Sequence, residues 1–170
     1  MTNPGQSAIA VPGGAWGGLL LALAVTALAA AIGSVASIKA AAFYGALAKP
    51  AWAPSPRVFG PVWTLLYLLM AAAAWMVWRR AGLPAATGPL ALYLFQLALN
   101  ALWTWLFFRW RSGAWALAEI VLLWLVVLVT LVGFWRVRAV AGLLLLPYLV
   151  WITFATALTA AIWRRNPGVL

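Results

Sequence analysis

The sequence predicts an all-α integral membrane protein, a five-transmembrane-helix bundle, on three observations. Apolar residues make up 68% of the chain and charged residues 7%, whereas a soluble domain is nearer half apolar and about a quarter charged. Breaks rich in proline, glycine and arginine divide the 170 residues into five apolar runs, and each is long enough to cross a hydrocarbon core that takes about 20 helical residues. Inside that core every backbone amide needs an internal partner, which uninterrupted helices provide.

Residues 1–15 form a short tail without lysine or arginine, so the apolar run that follows reads as a retained span rather than a secretory leader. In that first span, 16–36, Gly18, Ala22, Thr26, Ala30 and Ser34 recur at every fourth position. Such a small-residue face lets another helix approach closely, either within the protomer or across a dimer. The connection over 37–57 is long and carries Tyr44, Lys49, Pro50, Trp52, Pro54 and Pro56. Its stiff backbone and apolar side chains suit a lid over something beneath it, or an interfacial anchor at Trp52. Spans over 58–78, 89–108, 113–135 and 139–163 follow with short connections, and residues 16–166 make one membrane domain.

The formal charge of +10 belongs to cations at the ends of the apolar runs. No basic groove or stripe gathers them, so the expected partner is the lipid bilayer and not nucleic acid. Five crossings put the termini on opposite sides. Lys39, Lys49, Arg57, Arg109, Arg111, Arg164 and Arg165 fall on one side and Arg79, Arg80, Arg136 and Arg138 on the other, which favours a cytoplasmic C-terminus.

The chain has no cysteine and no histidine. Disulfides, thiol chemistry and most metal sites are thereby excluded, and neither a catalytic group nor a metal ligand is expected. Glu119 is the single acid. A buried carboxylate is costly, so it should pair with a boundary arginine, or be protonated and take part in proton coupling.

Thirteen tryptophans pack helices, mark the interface or line a pocket. Trp16, Trp75, Trp78, Trp110, Trp115, Trp135 and Trp163 lie near span ends, as anchors do, while Trp63, Trp103, Trp124 and Trp151 lie deeper. In the third span Tyr93, Gln96, Asn100, Trp103 and Phe107 share one helix face. Gln96 and Asn100 should point inward, either to bond a neighbouring helix or to line a ligand cavity. In the fifth span Tyr148, Trp151, Ala155, Leu158 or Thr159, and Ile162 repeat at the same spacing. Ala155 leaves a gap beside an indole, for a flat ligand or for a helix. Trp63 and Tyr67 share a face of the second span below the loop that bears Trp52. These faces describe an aromatic-walled cavity that opens toward one membrane surface.

Residues 43–70, FYGALAKPAWAPSPRVFGPVWTLLYLLM, resemble the signature of the tryptophan-rich sensory protein family, also called translocator proteins or peripheral-type benzodiazepine receptors. YLFQLALNALWTWLFF at 93–108, SGAWALAEIVLLW at 112–124 and PYLVWITFATALTAAIWRRN at 147–166 resemble later family segments in order and spacing. The resemblance implies a five-helix bundle, a homodimer, and a site for porphyrins and other tetrapyrroles, benzodiazepine-site drugs and sterols. Carried over by position, that site involves Trp52, Trp63, Tyr67, Asn100, Trp103, Trp151, Ala155 and Leu158; Gln96 and Thr159 join it from the helix faces above. The chain departs from the pattern at Thr159, where an asparagine is usual, and TALTAAIWRR lacks the tyrosine of the sterol-recognition pattern.

Three functional readings follow. One is a receptor, sensor or transporter for tetrapyrroles, with Lys39, Lys49 and Arg57 meeting propionates. It requires no cofactor and takes a protoporphyrin IX-like ligand, metal-free because histidine is lacking. Another is an enzyme that degrades porphyrin, in which Trp52 and Trp151 supply electrons. The third is a non-catalytic membrane interaction or regulatory protein whose tryptophans only anchor and pack.

Overall fold

The computed structural model describes residues 15–170, so the tail read over residues 1–15 lies outside the described residues apart from the Ala15 backbone. The described elements are α1 (Ala15–Ala36), α2 (Ala40–Ala46), α3 (Pro56–Thr104, continued by a π-helical turn over Trp105–Arg109), α4 (Gly113–Val137), α5 (Ala139–Leu143) and α6 (Leu146–Arg165). Four helical stretches are long and apolar enough to cross a membrane: Trp16–Ala36, Pro56–Arg109, Gly113–Val137 and Ala139–Arg165.

The second of these stretches contains two crossings. Its 54 residues would extend about 80 Å as one straight helix, far more than a hydrocarbon core of about 30 Å. Gly82 breaks it with φ 71° and ψ 166°, a conformation essentially closed to residues with a Cβ. Pro84 then starts the second half, where its missing N–H costs little. Tyr67 bonds to Asn100 and Gln96 to Met70, so the halves lie antiparallel. The protein is a five-crossing helical bundle.

The small-residue face of α1 packs inside the protomer. Trp78 covers Gly18 so closely that a Cβ there would overlap its ring. Thr26 gives its hydroxyl proton to the Ala22 carbonyl at 2.6 Å and accepts one from the Tyr93 hydroxyl. A Cβ on Gly33 would lie 3.0 Å from Thr104 Oγ1. The internal use of this face is thus seen at Gly18, Thr26 and Gly33, while Ser34 is exposed.

The buried core gathers Met70, Ala73, Val77, Leu97, Leu123, Phe134 and Ile152. Lipid is as apolar as these side chains, so their hold on one another comes mainly from close packing and hydrogen bonds. Small residues again admit close approach, with Gly113 against the Trp163 ring and Gly142 against the Trp135 backbone. Trp124, one of the deep tryptophans, ties α4 to α6 by donating to Thr153 Oγ1 at 2.8 Å.

Candidate ligand cavity

The aligned residues of the third crossing face inward, with Gln96 1% and Asn100 5% exposed. Tyr67 O–H donates to Asn100 Oδ1 at 2.8 Å, and Asn100 Nδ2 donates to Tyr148 OH at 2.9 Å. One amide thus joins both halves of α3 to α6, offsetting the cost of placing it in hydrocarbon. Gln96 lies deeper, its Nε2 3.6 Å from Met70 Sδ and its Oε1 without a partner among the described residues. The Trp103 indole N–H and both Glu119 oxygens also lack one. The ion pair expected of Glu119 is therefore not formed, because arginines at the span ends do not reach the carboxyl within α4.

On the loop side of the Asn100 junction lies a cavity of about 560 Å³. Its wall includes Ala30, Gly33 and Ser34 of α1, Ser37 just after it, Tyr44 of α2, Phe59, Gly60, Trp63, Thr64 and Tyr67 of the first half of α3, and Asn100, Trp103, Thr104 and Phe108 beyond the kink. Such a volume lies within the range of about 300–1,000 Å³ typical of small-molecule sites, and so does the mixture of many apolar groups with few polar ones.

The π turn shapes one wall. Trp110 N–H reaches back to the Trp105 carbonyl at 2.8 Å, and the wider turn changes the angle at which the next side chains leave the helix. Phe107 then stacks on Trp103 with centroids 5.2 Å apart and planes 15° apart, while Phe108 meets Trp103 edge-on at 5.9 Å. Behind Tyr44, Phe59, Trp103 and Phe108 is a second void of only about 20 Å³, lined also by Ala155, Leu158 and Thr159. The four aromatics form a partition between the two spaces.

The long connection is fastened over this end. Lys49 Nζ donates to the carbonyls of Tyr44, Gly45 and Leu47 at 2.7, 3.0 and 2.8 Å, closing the C-terminal end of α2 with a cation where the helix dipole favours one. Asn166, just after α6, accepts from Ala48 N–H at 2.9 Å and donates to the Ala48 carbonyl at 2.9 Å. Tyr44 O–H donates to the Pro54 carbonyl at 3.1 Å, and burial pushes its phenol above its ordinary value, so it stays a donor. Trp52 is half exposed and packs edge-on against Phe154 at 5.7 Å; Trp151 meets Phe59 at 5.8 Å.

The structure thus brings together Trp63, Tyr67, Asn100 and Trp103 around the larger cavity. Ala155, Leu158 and Thr159 border the smaller void, Trp52 and Trp151 support the lid and partition from outside, and Gln96 lies in the core. Lys39 and Arg57 are exposed beside the wall residues Ala40 and Pro56, whereas Lys49 is engaged in capping α2. Sequence reasoning missed Asn166 as the lid fastener. An asparagine before Pro167 signals a helix end, but nothing in that signal points to a backbone 118 residues away.

A five-crossing membrane bundle with a lidded, aromatic-walled internal cavity defines the class. Residues 20–164 match the TspO/MBR family. The sequence is 41% identical to the translocator protein of Homo sapiens over 128 residues, covering 74% of this chain and 76% of that one. It is 39% identical to protein CrtK of Rhodobacter capsulatus over 153 residues, covering 88% and 94%, and 40% identical to the tryptophan-rich sensory protein of Cereibacter sphaeroides over 151 residues, covering 89% and 92%. The chain belongs to the TspO/MBR family of membrane proteins.

Proposed function

We propose that this protein is a sensor or translocator that binds flat, largely apolar tetrapyrroles of the protoporphyrin IX kind in the cavity beneath α2. The observation that carries the reading is the cavity of about 560 Å³ walled by Tyr44, Phe59, Trp63, Trp103 and Phe108. Ring faces there offer stacking worth roughly 0.5–1.5 kcal/mol per aromatic pair beyond area burial. Lys39 and Arg57, exposed beside the wall residues Ala40 and Pro56, suit carboxylates.

The charge distribution supports a cytoplasmic location for the lid side and the C-terminus, since the lid-side connections and the C-terminal end hold seven of the eleven cations. A homodimer, which the family resemblance implies, would leave Gly18 and Thr26 within the protomer, where they pack on α3.

The test is a titration of the purified protein in lipid discs with protoporphyrin IX, read by tryptophan quenching. Saturable quenching is expected, with affinity at least about tenfold weaker in Asn100→Ala and Thr104→Trp, equivalent to about 1.4 kcal/mol. Quenching that never saturates, or is equal in all three proteins, overturns the proposal.

A further inference from the structure

Resting on that reading, we infer that the ligand enters the cavity sideways from the lid-side leaflet of the bilayer, through a seam between α1 and the first half of α3, and not through the lid. The two helices meet at the far end, where Trp16 stacks on Trp75 at 6.4 Å and Trp78 covers Gly18. Toward the lid, α1 instead follows the second half of α3: Tyr93 bonds to Thr26, Trp105 Nε1 donates to the Ile32 carbonyl at 3.2 Å, and Gly33 lies against Thr104. The cavity fills the widening gap, with Ala30 and Ser34 on one bank and Gly60, Thr64 and Tyr67 on the other.

Ser34, Gly60 and Thr64 line the cavity and are exposed, as residues on the rim of an opening are. Thr64 is eight residues into α3, about 12 Å along its axis, so the opening reaches into the hydrocarbon layer. Its rim suits apolar passage. The hydroxyls of Ser34 and Thr64 donate to the Ala30 and Gly60 carbonyls of their own helices at 2.7 and 3.0 Å, leaving no unsatisfied hydrogen for lipid or ligand to meet. A Cβ at Gly60 would have nothing within 4 Å. The route through the lid, by contrast, is held by Lys49, Asn166, and the Tyr44–Pro54 bond.

The experiment uses Ser34→Leu with Gly60→Leu to narrow the seam, and Gly45→Leu as a control on α2, where a Cβ also meets nothing within 4 Å. Protoporphyrin IX mixing is followed by stopped-flow quenching in lipid discs. The seam variant should lower the association and dissociation rates together by about tenfold or more, because a passage acts on both directions alike, whereas damage to the cavity wall would speed dissociation. Wild-type rates in the seam variant, or a larger slowing in the control, overturn the inference.

A second readout does not depend on the porphyrin reading. The chain contains no cysteine, so Thr104→Cys places a single thiol in the cavity wall. A bilayer-dissolved pyrene maleimide should label it faster than a membrane-impermeant sulfonated maleimide, and the seam substitutions should slow that labelling. Preferential labelling from water, unchanged by the seam substitutions, overturns lateral entry. Lack of saturable porphyrin binding with seam-dependent labelling overturns only the choice of ligand.

Discussion

The two ends of the bundle are built from the same residue types and have opposite consequences. At the end away from the lid, the Trp78 ring lies against Gly18, and Val77, Ala73 and Phe134 are wholly buried. At the lid end, aromatic rings face one another across a gap. Tyr44, Phe59 and Trp103 surround open volume because α1 leans toward the second half of α3 and leaves the first. A ring seated on a glycine closes the first end, and rings beside a splayed helix leave the second open. Tryptophan content alone distinguishes neither.

That comparison can be broken first at the packed end. Gly18→Leu should displace the Trp78 indole and cost about 1–3 kcal/mol, the usual range for overpacking, with tetrapyrrole affinity unchanged; equilibrium unfolding in mild detergent beside the quenching titration checks both. At the lid, Asn166→Ala removes both contacts to Ala48. A loss of about 1–2 kcal/mol is expected, and hydrogen exchange over residues 40–56 should accelerate while α4 is unaffected. Lys49→Met should uncap α2 at about 0.3–1 kcal/mol, detected as faster exchange at residues 40–47 alone. Tyr67→Phe is the smallest change, removing one donor from Asn100 for about 0.6 kcal/mol on membrane-protein averages. Its unfolding midpoint should move less than that of Asn100→Ala, which strands two hydroxyls.

How far the sequence foretold each end follows from the range of the interactions involved. The crossings were legible because hydrocarbon thickness fixes their length, and Gly82 with Pro84 falls in the gap between two apolar runs. The inward face of Tyr93, Gln96, Asn100, Trp103 and Phe107 was legible because helical period and the cost of a lipid-exposed amide agree. The sequence suggests a propionate contact for Lys49, since a lysine near a helix end gives no sign that it will turn back onto three carbonyls. Glu119 was given an arginine that the distance along α4 keeps away. The partition that separates Ala155 and Leu158 from Trp63 depends on one extra residue in the turn at Trp105–Arg109, and helical periodicity assumes a constant turn. Splaying of α1 is likewise a property of three helices at once, so the seam has no signature along the chain.

The most direct measurement of the central claim is ligand-induced stabilisation at both ends. In lipid discs, protoporphyrin IX at about 100 times its dissociation constant should raise the unfolding free energy by about 2.7 kcal/mol in the wild type and in Gly18→Leu. It should leave Ala30→Trp, which fills the cavity, unchanged. Equal stabilisation of Ala30→Trp, or its loss in Gly18→Leu alone, would contradict an account in which one end packs and the other binds.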